Sequence, residues 1–171
     1  PVLRRSFVLG KLLASIPFAL ASLAVALGVL YLGFNVLPLE EFTGMAMSIE
    51  PGALINMFLL SLPVVLLASG LQMVVAAFTR SFKEAQTYLS FLPLVSGLPI
   101  MFLAFIPVKA GMAVSLIPIF GQALLINQLL RGETIQPANV AAATLGSLVA
   151  ALLVTLLAIR LYQRERILFG G

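Results

Sequence analysis

Five stretches of this chain carry no Asp, Glu, Lys, Arg or His: residues 12–39, 51–79, 85–108, 110–130 and 134–159. A helix that crosses the hydrocarbon of a bilayer needs about 20 mostly apolar residues, and each stretch is long enough by that measure. Hydrophobic residues make up 61% of the chain and charged residues only 9%, where an ordinary soluble domain carries about a quarter. Too little polar side chain remains to face water on every side. The pattern predicts an all-α, polytopic helical membrane protein, with its 171 residues forming one transmembrane domain. The first residue is Pro rather than Met, so the chain is expected to be part of something longer.

The residue types that are missing exclude several chemistries. With no Cys there is neither a disulfide framework nor a thiolate metal site. With no His and no Asp, Ser-His-Asp hydrolysis, the H-E-x-x-H zinc motif and paired-aspartate proteolysis all fall away. A Ser-Lys dyad is the familiar nucleophile pair left, but Lys11, Lys83 and Lys109 stand at the ends of the apolar stretches, not beside a buried Ser. No catalytic residue, metal or cofactor is therefore expected on this chain. The net charge of +4 is explained by where the cations fall along the chain, and nucleic acid is not an expected partner.

Cytoplasmic loops of membrane proteins collect Lys and Arg, which allows two topologies to be compared. Suppose that 12–36, 53–79, 88–108 and 138–160 span, that the N-terminus is inside, and that 110–130 does not cross. Then Arg4, Arg5, Lys11, Arg80, Lys83, Arg160, Arg164 and Arg166 are inside, with Lys109 and Arg131 outside: eight cations against two. If 110–130 also crosses, Arg160, Arg164 and Arg166 move outside and the count becomes six against four. Four spans sort the charge better, and both ends of the segment are then cytoplasmic. Local chemistry agrees. Only "PVKAG" separates 88–108 from 110–130, Pro118 removes a backbone donor, and Gly121 loosens the helix beyond it. The amides of Gln122, Asn127 and Gln128 follow, and all three are awkward against lipid. The segment 110–130 reads as a re-entrant or interfacial helical hairpin on the outer side, with an ordinary fifth span as the alternative.

On this layout "RSFKEAQ" is the inner turn between the second and third spans, and Ser81 with Glu84 fits a capping box for the following helix. Inside the spans the polar groups are neutral. Gln72 is expected to face a neighbouring helix or a cavity, since a buried amide needs partners. The last span carries two rows of small residues at helical spacing, Ala142, Gly146, Ala150 and Ala143, Ser147, Ala151. Such rows let helix backbones approach closely, within one chain or across a dimer.

The runs "FTRSFKEAQTYLSFLPLV", "IPIFGQALLINQLLRGE" and "RERILFG", with the opening "PVLRRSFVLGKLLA", resemble the permease subunits of type-two ABC exporters. The likeness extends over most of the chain. It is greatest to the branch named for sodium export (NatB-like), and its most specific piece is Lys83-Glu84-Ala85-Gln86 with Tyr88. Relatives often place an Asn near Gly121, where this chain offers Gln122.

The resemblance implies a six-span permease in the cell (inner) membrane, of which this segment would hold the last four spans. It also implies a separate cytoplasmic ATP-binding cassette subunit that hydrolyses ATP, and a second permease copy or a homologous permease. No phosphate loop exists here, because Gly10-Lys11 is followed by Leu12. In such a permease Arg4, Arg5, Lys11, Arg80, Lys83 and Glu84 are candidate contacts with the ATPase subunit, or else plain topology signals. Gln72, Gln122, Asn127 and Gln128 are candidate pathway or helix-packing groups. The sodium label is one substrate reading, and apolar substrates suit the pathway equally. A non-transport membrane scaffold or sensor is the competing function.

Overall fold

The computed structural model describes residues 4–36, 48–79, 81–106 and 108–164. Arg80 and Arg166 lie outside the described residues, as do the side chains of Arg4, Arg5 and Arg164. Among the described residues six helices follow in chain order: α1 (Arg4–Val36), α2 (Pro51–Phe78), α3 (Phe82–Phe105), α4 (Met112–Ser115), α5 (Phe120–Leu130) and α6 (Pro137–Arg164). Among the described residues no strand occurs. Among the described residues three helices are long and apolar enough to cross a membrane, in the ranges Leu9–Val36, Pro51–Phe78 and Pro137–Tyr162. The 24 residues of α3 amount to about 36 Å of helix.

The helix ends follow local chemistry. Pro51 and Pro137 open α2 and α6, where a missing N–H costs nothing because the first turn has no intrahelical acceptor for it. Ser81 caps α3: its Oγ accepts from the Glu84 backbone N–H at 3.2 Å, as the sequence pattern predicted. The end of α5 is a Schellman motif. Gly132 takes φ 69°. Its N–H donates to Leu129 O at 3.1 Å, and the Glu133 N–H donates to Gln128 O at 2.9 Å. Only a residue without Cβ adopts that φ at little cost, so "LLRGE" stops the helix at Arg131.

α2 and α6 form the most extensive contact, and α1 packs on both. Two pairings fix their relative direction. Leu60 clusters with Ala143 and Leu125 in the buried core, while a Cβ at Gly70 would stand 3.2 Å from Val154 Cγ1 and 3.3 Å from Thr155 Oγ1. Residue numbers rise together along both helices, so α2 and α6 run parallel. Asn35 Nδ2 donates to Ile49 O at 3.2 Å, tying the last turn of α1 to the start of α2. α1 is therefore antiparallel to α2, with Lys11 at the same end as the 79–84 turn. α3 returns beside α2, and α4 and α5 fill the space that α2, α3 and α6 leave between them.

Candidate functional site

The segment 110–130 is a helical hairpin whose two ends emerge on the side where α6 begins. Its first arm is the single turn of α4, and its second is α5. Between them the backbone reverses at Pro118-Ile119. The Phe120 N–H donates to Pro118 O at 2.8 Å around Ile119, which holds φ 68° and ψ −51°. This is a positive-φ γ-turn, rare for any residue and a true outlier for a β-branched one. Strain of this kind costs about 1–3 kcal/mol and persists only where the surroundings enforce it.

What enforces it is close backbone packing on both sides of the turn. A Cβ on Gly121 would overlap the carbonyl oxygen of Ser115, and a Cβ on Gly146 would overlap that of Leu116. Gly121 thus corrects the expectation placed on it. It does not loosen a helix; it lies inside α5 and lets the two arms close on each other. Gly146 does the same between hairpin and α6, so this part of the small-residue stripe packs within the chain. Along the same seam Ala142, Ala143, Ser147 and Ala151 are buried, while Ala150 is half-buried.

Gln122 ties the seam together. It is 2% exposed, its Nε2 donates to Ala143 O at 2.8 Å, and its Oε1 accepts from Ser147 Oγ at 2.9 Å. An unsatisfied amide in apolar surroundings costs about 2–7 kcal/mol, so the side chain is held in one register against α6. Both partners come from the small-residue row Ala143, Ser147, Ala151, where a larger neighbour would keep the amide from reaching the helix backbone. The Oγ of Ser115, also fully buried, has no hydrogen-bond partner among the described residues. Nothing in the sequence singles out Ser115 or the buried Asn139, since both follow from tertiary packing alone.

The four amides singled out as candidate pathway or helix-packing groups occupy three places. Gln122 is in the seam. Asn127 and Gln128 line a cavity of about 460 Å³ at the mouth of the hairpin, with Lys109, Arg131 and Glu133. Gln128 Nε2 donates to Glu133 Oε2 at 3.4 Å, and its Oε1 is buried with no partner among the described residues. Gln72 is exposed; it stands on the edge of a hollow of about 270 Å³ between α2 and α3, otherwise lined by apolar side chains including Leu67, Leu89, Pro93 and Ile119.

The ionisable groups separate by end. Lys11 and Lys83 are exposed and Glu84 is half-buried at the end where α2 stops and α3 starts. Arg160, exposed near the close of the parallel helix α6, belongs to that end too. Glu50, Lys109, Arg131 and Glu133 lie at the other. The arrangement offers packing and binding surfaces. Comparison with the models of known families, with curated proteins and with solved structures gives no match.

Proposed function

We propose that this segment is the membrane-spanning part of a permease of the type-two ABC exporter class. In this reading α1, α2, α3 and α6 cross the bilayer and the α4–α5 hairpin enters from the outer side without traversing. ATP hydrolysis falls to a separate cytoplasmic subunit, and a second permease copy completes the pathway. The observation that carries the reading is the parallel course of α2 and α6 around the seated hairpin. A fifth crossing at 110–130 would return α6 antiparallel to α2, so the pairings Leu60–Ala143 and Gly70–Thr155 support four crossings. Leu116 meets α6 at Gly146, nine residues and about 14 Å from Pro137, or roughly half of the ~30 Å hydrocarbon. Broken helices occur at such depth only where protein or an aqueous cavity surrounds them, and the hairpin is enclosed by three helices.

The separation of charge supports the same layout, with the Lys11, Lys83 and Arg160 end inside and both termini of the segment cytoplasmic. The inner turn at 79–84 and the first turns of α1 are then the surface that meets the ATPase subunit. Sodium export is what the resemblance suggests for the substrate, and the neutral amides of the hairpin are compatible oxygen donors.

Affinity purification of the chain from its native membrane should retain an ATP-binding cassette subunit whose hydrolysis the permease stimulates. Reversing Arg80, Lys83 and Glu84 together should abolish that stimulation while the permease still assembles in the membrane. Retention of no ATPase overturns the transporter reading in favour of a scaffold or sensor. Unchanged stimulation after the reversal removes this turn from the coupling surface.

A further inference from the structure

The cavity at the hairpin mouth has a chemistry that the transport reading does not use. It is built where three apolar elements end: α3, the 108–111 link and α5. Its base is apolar and well packed, with Leu103 and Leu124 each 3% exposed. Its rim carries two cations, Lys109 and Arg131, and neither is in an ion pair among the described residues. The one carboxylate present, that of Glu133, is steered to the wall by Gln128 Nε2 at 3.4 Å. The other atom of the same amide, Oε1, is buried without a donor among the described residues.

These groups ask for complementary features in a ligand. Two unpaired cations suit a phosphate, through charge-assisted hydrogen bonds that the planar Arg guanidinium can make in pairs. A bare anion would be repelled by Glu133. A ligand that also carries a primary ammonium would satisfy the carboxylate, since an ammonium is a cation with three N–H donors. The volume of about 460 Å³ lies in the range of small-molecule sites.

We propose that this cavity binds a zwitterionic phosphate–ammonium group of the phosphoethanolamine kind, with the phosphate on Lys109 and Arg131 and the ammonium on Glu133. Such a group occurs on a membrane lipid and on a soluble molecule. The apolar base beneath a charged rim is the profile a lipid presents where its chains meet its headgroup. The cavity shares Asn127 and Gln128 with the candidate pathway amides, but the charged groups proposed to hold the ligand, Lys109, Arg131 and Glu133, play no part in the transporter reading.

The test is native mass spectrometry of the full chain in mild detergent, titrated in separate arms with palmitoyl-oleoyl phosphatidylethanolamine, phosphatidylcholine, phosphatidylglycerol and soluble O-phosphoethanolamine. The ethanolamine lipid should be retained more tightly than the choline lipid, which has no N–H, and than the glycerol lipid, which has no cation. Lys109→Ala with Arg131→Ala should weaken that adduct by about tenfold or more, the loss of at least one charge-assisted hydrogen bond. Glu133→Gln should reduce the preference for ethanolamine over glycerol lipid, while Lys83→Ala at the opposite end should change nothing. Lys109, Arg131 and Glu133 are all exposed, so helical content and elution volume should stay those of the parent chain. Binding in the soluble arm, with the same sensitivity to the variants, assigns the site to a soluble zwitterion as well as to lipid; binding of lipid alone assigns it to the bilayer. Equal retention of the three lipids, or adducts indifferent to the Lys109 and Arg131 change, overturns the proposal.

Discussion

The α4–α5 hairpin and α3 are neighbours, both apolar in sequence, yet they are held in opposite ways. In the 11 residues of α5, four are buried: Gly121, Gln122, Leu124 and Leu125. In the 24 residues of α3, the buried side chain among those described is Leu103, while Phe82, Phe91, Leu98, Met101 and Phe105 are all more than half exposed. In water such a face would drive association; in lipid it is simply solvated, because hydrocarbon tails are as apolar as Leu. What commits a helix to the interior here is therefore not greasiness. It is the need to satisfy an amide, as in Gln122, and the chance to bring backbones together, as at Gly121 and Gly146.

The largest test of this contrast is Gly121→Ala. Its methyl would overlap the Ser115 carbonyl, a backbone atom that cannot swing aside, so the hairpin must open or unfold. The expected loss is at least about 3 kcal/mol, at the severe end of single substitutions, read as reduced folded yield and a lower unfolding temperature in detergent. Gly146→Ala should behave similarly through Leu116, separating the hairpin from α6. If either variant keeps parental stability, the seam is not the rigid element described.

Gln122→Leu should come next. It removes both hydrogen bonds and leaves the Ser147 hydroxyl without its acceptor in a dry seam, at a cost of about 1–3 kcal/mol. Ser147 retains a fallback in the carbonyls of its own helix, so Ser147→Ala alone should cost less. Unfolding of both single variants and of the double variant closes a thermodynamic cycle, and the coupling between the two side chains should be about 0.5–2 kcal/mol. A coupling near zero would mean that Gln122 is held by packing and not by this bond.

The smallest effect should come from α3. Phe91→Ala or Leu98→Ala removes side chains that are 56% and 62% exposed, and each should shift stability by less than about 0.5 kcal/mol. A larger loss for the pair would show that this face is covered by a protein partner, for which a second copy of this chain is the first candidate.

Much of the fold was legible in residue order. The stretches 12–36, 53–79, 88–108 and 138–160, expected to span, are helical at 4–36, 51–78, 82–105 and 137–164, with shifts of several residues at some ends, and the first, second and fourth are long and apolar enough to cross a membrane. Those shifts arise because charge-free runs mark where lipid can be tolerated, whereas a helix extends into its polar flank until a cap or a turn stops it. The break in 110–130 was signalled by Pro118, but its place, the positive φ of Ile119, was not. Nothing local favours that conformation, and it exists because two backbone contacts on either side hold it. The Gly132 stop could have been read from "LLRGE", a Gly just past the last apolar residues. The cavity at the hairpin mouth could not, because Lys109 and Arg131 are more than 20 residues apart and meet only when the hairpin folds back.

By itself the sequence determined that this chain is helical and that it carries helices long and apolar enough to cross a membrane, three of them among the described residues. Those properties follow from single-residue transfer energies and from hydrogen bonds that close within one helix, so they need no knowledge of neighbours. Only the tertiary structure decided which face of each helix is inside, that α6 runs parallel to α2, and that Gln122 is joined to Ala143 and Ser147. Those choices depend on whether two backbones fit at contact distance, a property of pairs of surfaces that no stretch of residues carries alone.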